Sequence, residues 1–107
     1  MKTWTAAPAV LALLVPLAVM ANEQLAKEKQ CDQCHKVAEP SKGPSWHLVA
    51  QRWKGRANAQ ELLTKQIQDG NASTPHWSGK VTMPDTTKRP PVSNAEAHEL
   101  IAWILAQ

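Results

Sequence analysis

Cys31-Asp32-Gln33-Cys34-His35 decides the reading of this chain, because its only two cysteines both fall in this one pentapeptide. Two thiols three positions apart on a single turn can add to the two vinyl groups of a porphyrin. A histidine directly after them can offer an imidazole nitrogen to the iron. The spacing therefore predicts covalent attachment of one haem c through Cys31 and Cys34, with His35 as an axial ligand. Three other uses of the cysteines fit less well. A thioredoxin-like redox pair needs a βαβ surround, and no stretch here alternates like a strand. A zinc site needs four ligands, whereas the chain offers two thiolates and scattered histidines. A disulfide across Cys31 and Cys34 is sterically tight and leaves a small core unfilled.

A second axial ligand is sought further along. Met83 is the only methionine outside the opening segment, and it sits in a proline-stiffened Met83-Pro84 step that can hold a thioether against iron. His47, His76 and His98 are the rivals, and each would give bis-histidine ligation; His76 shares the loop with Met83 and is the strongest of them. A methionine that merely fills a core gap is the ordinary alternative.

Around these residues the pattern is helical. Glu23 to Gln30 reads as a short helix running into Cys31, with Asn22 as its cap. Trp46, Val49, Ala50 and Trp53 fall at i, i+3, i+4, i+7 and the stripe stops at Gly55. Asn58 and Glu61 have capping-box spacing ahead of Leu62, Leu63 and Ile67 on one face, with Gly70 as the stop. Ser93 and Glu96 repeat that spacing before Ala97, Leu100, Ile101, Ile104 and Leu105. Asn71 to Val92 holds Pro75, Gly79, Pro84, Pro90 and Pro91 without periodicity and reads as a long loop, of the kind that tends to carry function. The fold class is all-α, about four helices around the haem.

The opening of the chain is a different material. Lys2, the apolar run from Ala6 to Met20 and the small residue Ala21 read as a cleaved signal peptide over residues 1–21, leaving residues 22–107 as one domain. The run is about five residues short of a bilayer span and is interrupted by Pro8 and Pro16, so no stable membrane insertion is expected after cleavage. Twelve Lys and Arg against nine Asp and Glu leave a net +3, too little for a nucleic-acid binder or a charged disordered tail. So short a domain needs something besides side chains to fill its core. Of the five tryptophans, Trp46, Trp53 and Trp103 belong to apolar helix faces, while Trp77 lies in the loop, where its indole N–H either reaches a haem propionate or simply packs. Lys36, Lys42, Lys80, Lys88 and Arg89 flank the ligand segments, either as a ring around the haem edge that steers an acidic partner or as ordinary solvated surface.

Read as haem-binding, the pentapeptide is joined by Lys42-Gly43-Pro44-Ser45-Trp46, Val49-Ala50 with Trp53 and Gly55, Ile67-Gln68-Asp69-Gly70, Trp77, Met83-Pro84, Val92-Ser93 and Leu100-Ile101-Ala102-Trp103-Ile104-Leu105. This ordered set resembles the small bacterial class I cytochromes c, short monohaem electron carriers of the periplasm, over essentially all of residues 22–107. The resemblance implies thioether bonds at Cys31 and Cys34, axial ligation by His35 and Met83, and a Pro44 carbonyl that accepts the other His35 ring proton. It also implies a Trp77–propionate hydrogen bond and first and last helices packed against each other. This chain departs from the family in three places. Met83-Pro84-Asp85-Thr86 lacks the asparagine that often bonds the methionine sulfur, Lys65-Gln66 stands where a basic residue often meets a propionate, and Gly70 to Met83 is longer than in the shortest members.

The expectation is a periplasmic, monomeric one-electron carrier and not an enzyme, cycling Fe(II) and Fe(III) between a redox protein donor and acceptor of a respiratory chain. The alternatives are a haem-bearing subunit of a larger oxidoreductase, or a five-coordinate haem enzyme or sensor in which Met83 only packs.

Overall fold

The computed structural model describes residues 3–9, 17–71 and 82–107. Four α-helices and one short 3-10 turn make up its regular structure, with no strand among the described residues. Helix α1 (Leu17–Glu28) leads into the 3-10 turn Cys31–Gln33, and α2 (Trp46–Trp53), α3 (Ala59–Asp69) and α4 (Asn94–Leu105) follow. The first helix starts earlier than the sequence predicts. Asn22 lies inside it rather than capping it, because Leu17 to Ala21 are themselves acceptable helix formers and continue the turn upstream. The expected boundary between residues 21 and 22 thus falls within α1. The helix also ends earlier than the sequence predicts, at Glu28 rather than Gln30, and Gln30, whose φ of 63° is left-handed for a side-chain-bearing residue, turns the chain into the 3-10 turn.

Helix α4 is the hub: α1, α2 and α3 each pack on it, and Ala97 and Leu100 are fully buried there. The expected contact between first and last helices is present. The start of α4 is fixed by the capping box read from the sequence. Ser93 Oγ accepts from the Glu96 N–H at 3.1 Å, and Glu96 Oε1 accepts from the Ser93 N–H at 3.0 Å. Two side chains tie neighbouring helix ends to it. Lys29 Nζ donates to the Pro91 carbonyl at 2.8 Å and pairs with Glu96 at 3.1 Å; Gln68 Nε2 donates to the Val92 carbonyl at 3.1 Å and to Asn94 Oδ1 at 2.8 Å.

One sequence expectation fails in α3. Asn58 makes no side-chain capping bond, since its φ of −101° and ψ of 10° are not the extended backbone that aims a cap at the first turn. Leu63 and Ile67 are buried and Leu62 is 41% exposed, yet all three line one cavity. In α2 the cap is Ser45, which accepts from the Leu48 N–H at 3.1 Å. Among the described residues no helix is long and apolar enough to cross a membrane.

Candidate haem site

Cys31, Cys34, His35 and Met83 line one cavity of about 970 Å³, at the upper end of the ~300–1,000 Å³ usual for small-molecule sites. Leu63, Ile67, Leu100, Ile101 and Ile104 from α3 and α4 supply apolar wall.

The pentapeptide is held by its own backbone. The N–H groups of Cys34 and His35 both donate to the Cys31 carbonyl, at 3.2 and 3.0 Å, and the Cys34 carbonyl accepts from the Gly43 N–H at 2.7 Å. Both thiols are free and half-buried. Burial raises the Cys31 thiol above its ordinary pKa, the reverse of what a nucleophilic redox cysteine requires.

His35 is fixed from three sides. Its Nδ1 lies 2.7 Å from the Pro44 carbonyl oxygen. A carbonyl can only accept, so Nδ1 carries the proton and Nε2 is left with its lone pair, the form a metal ligand needs. The ring stacks on Trp46 with centroids 4.3 Å apart and planes 17° from parallel, and Trp46 meets Trp103 of α4 edge-on at 5.9 Å. Gly43 closes the third side: a Cβ there would come within 2.7 Å of Cε1 and 3.1 Å of Nδ1. Burial lowers the imidazole pKa, so the ring is favoured as neutral, although the Pro44 hydrogen bond opposes this shift.

Met83 is half-buried against the core cluster. Its N–H donates to Asn71 Oδ1, and its carbonyl accepts from the Asn71 N–H at 3.1 Å. Gly70 lies under the same segment; a Cβ there would sit 2.9 Å from the Pro84 carbonyl carbon and 3.0 Å from the Asp85 nitrogen. Asp85, which stands where the family often continues toward its asparagine, is spent locally, accepting from the Thr87 N–H at 2.9 Å and from the Thr87 hydroxyl.

The histidine rivals separate. His47 and His98 are exposed, and neither lines this cavity. His76 and Trp77 lie outside the described residues, as does Lys80. Among the described residues no cluster of His, Cys, Asp and Glu could hold a metal ion by itself. The expected ring of cations is redrawn: Lys36 does not line the cavity, whereas Lys42 and Lys88 do, joined by Arg52, Arg56 and Lys65, with Asp69 as the one carboxylate in the wall among the described residues. Arg89 is no rim residue. Its Nε donates to the Pro84 carbonyl at 2.7 Å, and Nη2 donates to the Ile67 carbonyl. Gly70 and Asn71 were not legible as site residues, and Arg89 was read from the sequence only as a possible rim cation. Gly70 carried a signal only as a helix stop, and Asn71 and Arg89 sat in a loop without pattern.

The cavity fits haem c by its donor set: paired thiols on one turn, an imidazole already in its ligating tautomer, a thioether, apolar walls and a buried guanidinium nitrogen without a partner. Comparison with known proteins agrees. A sequence model of the family described as cytochrome c matches residues 19–107. Cytochrome c-552 of Hydrogenobacter thermophilus is 40% identical over 86 residues, covering 80% of this chain and 81% of that protein. Cytochrome c-552 of Nitrosomonas europaea is 34% identical over 106 residues, covering 98% and 97%. The crystal structure of the latter superposes with a TM-score of 0.67 at 32% identity, covering 78% of this chain and 96% of that one.

Proposed function

This chain belongs to the cytochrome c family, a family of electron carriers rather than enzymes, and from that premise we propose that it is an exported periplasmic shuttle whose haem c is held axially by His35 and Met83. The observation that carries the reading is the common cavity wall formed by Cys31, Cys34, His35 and Met83, with His35 Nδ1 committed to Pro44.

Bound haem c supplies a one-electron Fe(II)/Fe(III) couple. The chain's own residues make that couple useful. Pro44, Trp46 and Gly43 hold the imidazole in one tautomer and one orientation, so it needs no rearrangement to serve as a ligand. Asn71 and Gly70 anchor the backbone of Met83, so that its thioether would be held to ligate the iron and to exclude small molecules. Leu63, Ile67, Leu100, Ile101 and Ile104 keep the surroundings apolar, which favours the less charged reduced state. Trp77 is assigned to a propionate. Among the described residues, Lys42, Arg52, Arg56, Lys65 and Lys88 against Asp69 around the cavity would steer an acidic redox partner into a small, short-lived interface. Residues 1–21 are proposed as the export signal, and residues 22–107 as the exported domain.

Carbon monoxide tests the coordination. The reduced native protein at neutral pH is expected to leave added carbon monoxide unbound, whereas rapid and stoichiometric binding would identify a five-coordinate haem and overturn the carrier reading.

A further inference from the structure

The loop after Met83 carries a cation whose position the carrier function leaves unexplained. Arg89 is only half-buried as a residue, yet its Nη1 atom is fully buried and has no hydrogen-bond partner. The other two nitrogens are committed to backbone carbonyls, Nε to Pro84 at 2.7 Å and Nη2 to Ile67. Among the described residues no carboxylate lies within ion-pairing distance of it. Asp85 is the one carboxylate among the described residues whose charge acts on it, but that carboxylate caps its own turn through Thr87. Burying a guanidinium with one donor orphaned is costly, and a guanidinium does not shed its charge. Arg89 nevertheless lines the cavity that holds both cysteines, His35 and Met83, and its charge is felt by Cys31 and His35.

We propose that Arg89 is a redox-tuning residue: a cation in the haem cavity, clamped by the Pro84 and Ile67 carbonyls, that favours the ferrous state. The physical basis is Coulombic. Oxidation adds one positive charge to the haem, and a second fixed positive charge in the same low-dielectric cavity opposes it. At an effective dielectric of ~20, a unit charge roughly 10 Å away changes a one-electron equilibrium by about tenfold. The two clamping hydrogen bonds keep the charge from swinging into water, where it would be screened.

The proposal rests on the electron-carrier reading, and the test keeps their failures apart. The midpoint potential of the holoprotein is measured for wild type, Arg89→Gln and Arg89→Lys, together with the sulfur-to-iron charge-transfer band of the ferric form. Arg89→Gln should shift the equilibrium toward the ferric state by about tenfold, a fall of ~59 mV for one electron, with the band retained. Arg89→Lys keeps the charge but not the fork and should recover most of that shift. Equal potentials in all three proteins, or equal falls in Gln and Lys variants, would overturn the tuning role, and so would loss of the band in Arg89→Gln alone. Absence of the band or of a reversible couple in the wild type would instead refute the carrier reading.

Discussion

Replacing Gly70 with alanine should release the methionine segment, and the structure gives the size of the effect. Gly70 has φ +73° and ψ −167°, a region open essentially to glycine alone, which costs a side-chain-bearing residue ~1–3 kcal/mol. The added methyl would stand 2.9 Å from the Pro84 carbonyl carbon and 3.0 Å from the Asp85 nitrogen, where ~3.5–4.0 Å is comfortable. Both of those atoms are backbone, so relief requires the whole segment to back away. Such overpacking costs ~1–3 kcal/mol, giving about 2–6 kcal/mol together against a typical domain stability of ~5–15 kcal/mol. Backing away also pulls at the 3.1 Å bond from the Asn71 N–H to the Met83 carbonyl. Gly55 is the internal control: its φ is +82°, but a Cβ there would meet nothing within 4 Å, so Gly55→Ala should cost only the backbone term, ~1–2 kcal/mol. The assay is guanidinium denaturation of the ferric holoprotein, with the sulfur-to-iron band recorded before denaturant is added. Gly70→Ala should lower the midpoint clearly more than Gly55→Ala and weaken the band, which Gly55→Ala leaves unchanged. Equal losses in the two variants with both bands intact would refute the claim that Gly70 supports Met83.

Three further outcomes are expected. Gly43→Ala would press a methyl into the His35 ring, 2.7 Å from Cε1, and should destabilise the holoprotein by about 1–3 kcal/mol in the same denaturation assay; a loss below ~0.5 kcal/mol would show that the ring is not confined there. Gln30→Gly relieves a left-handed residue, φ 63°, and should raise stability by ~0.5–1 kcal/mol, read as a melting-temperature gain of a few degrees. Glu96 is held below the usual carboxylate range by the Ser93 N–H and by Lys29. A depressed folded-state pKa contributes stability that is present above the unfolded value, ~4.3, and is lost as pH falls through the folded one. Glu96→Gln should therefore flatten the drop in melting temperature between neutral and acid pH; an unchanged acid limb would contradict the assignment.

The helices and the attachment turn were legible because they rest on local physics. The capping box at Ser93 and Glu96 formed as read, since Ser93 is extended and both partners sit on the same turn. The same spacing at Asn58 and Glu61 did not, because the chain enters α3 from a tight turn that leaves Asn58 near ψ 10°. The cavity's floor was beyond sequence reasoning for a different cause. Gly70 touching Pro84 and Asp85, Asn71 bonding Met83, and Arg89 reaching Ile67 are all encounters between segments far apart along the chain. No periodicity records such encounters. His35 stands between these cases: its candidate role was read from the pentapeptide, while its tautomer was implied by the family resemblance and not by its own spacing, and rests on the 2.7 Å approach to Pro44.

The most direct test of the account is an optical spectrum of the purified holoprotein, oxidised and then reduced, in wild type and Met83→Ala. Axial ligation by His35 and Met83 predicts a sharp reduced haem c spectrum and a weak sulfur-to-iron band at the red end of the oxidised one, lost in Met83→Ala. A haem c spectrum whose red-end band is absent from the wild type, or survives in Met83→Ala, would contradict it.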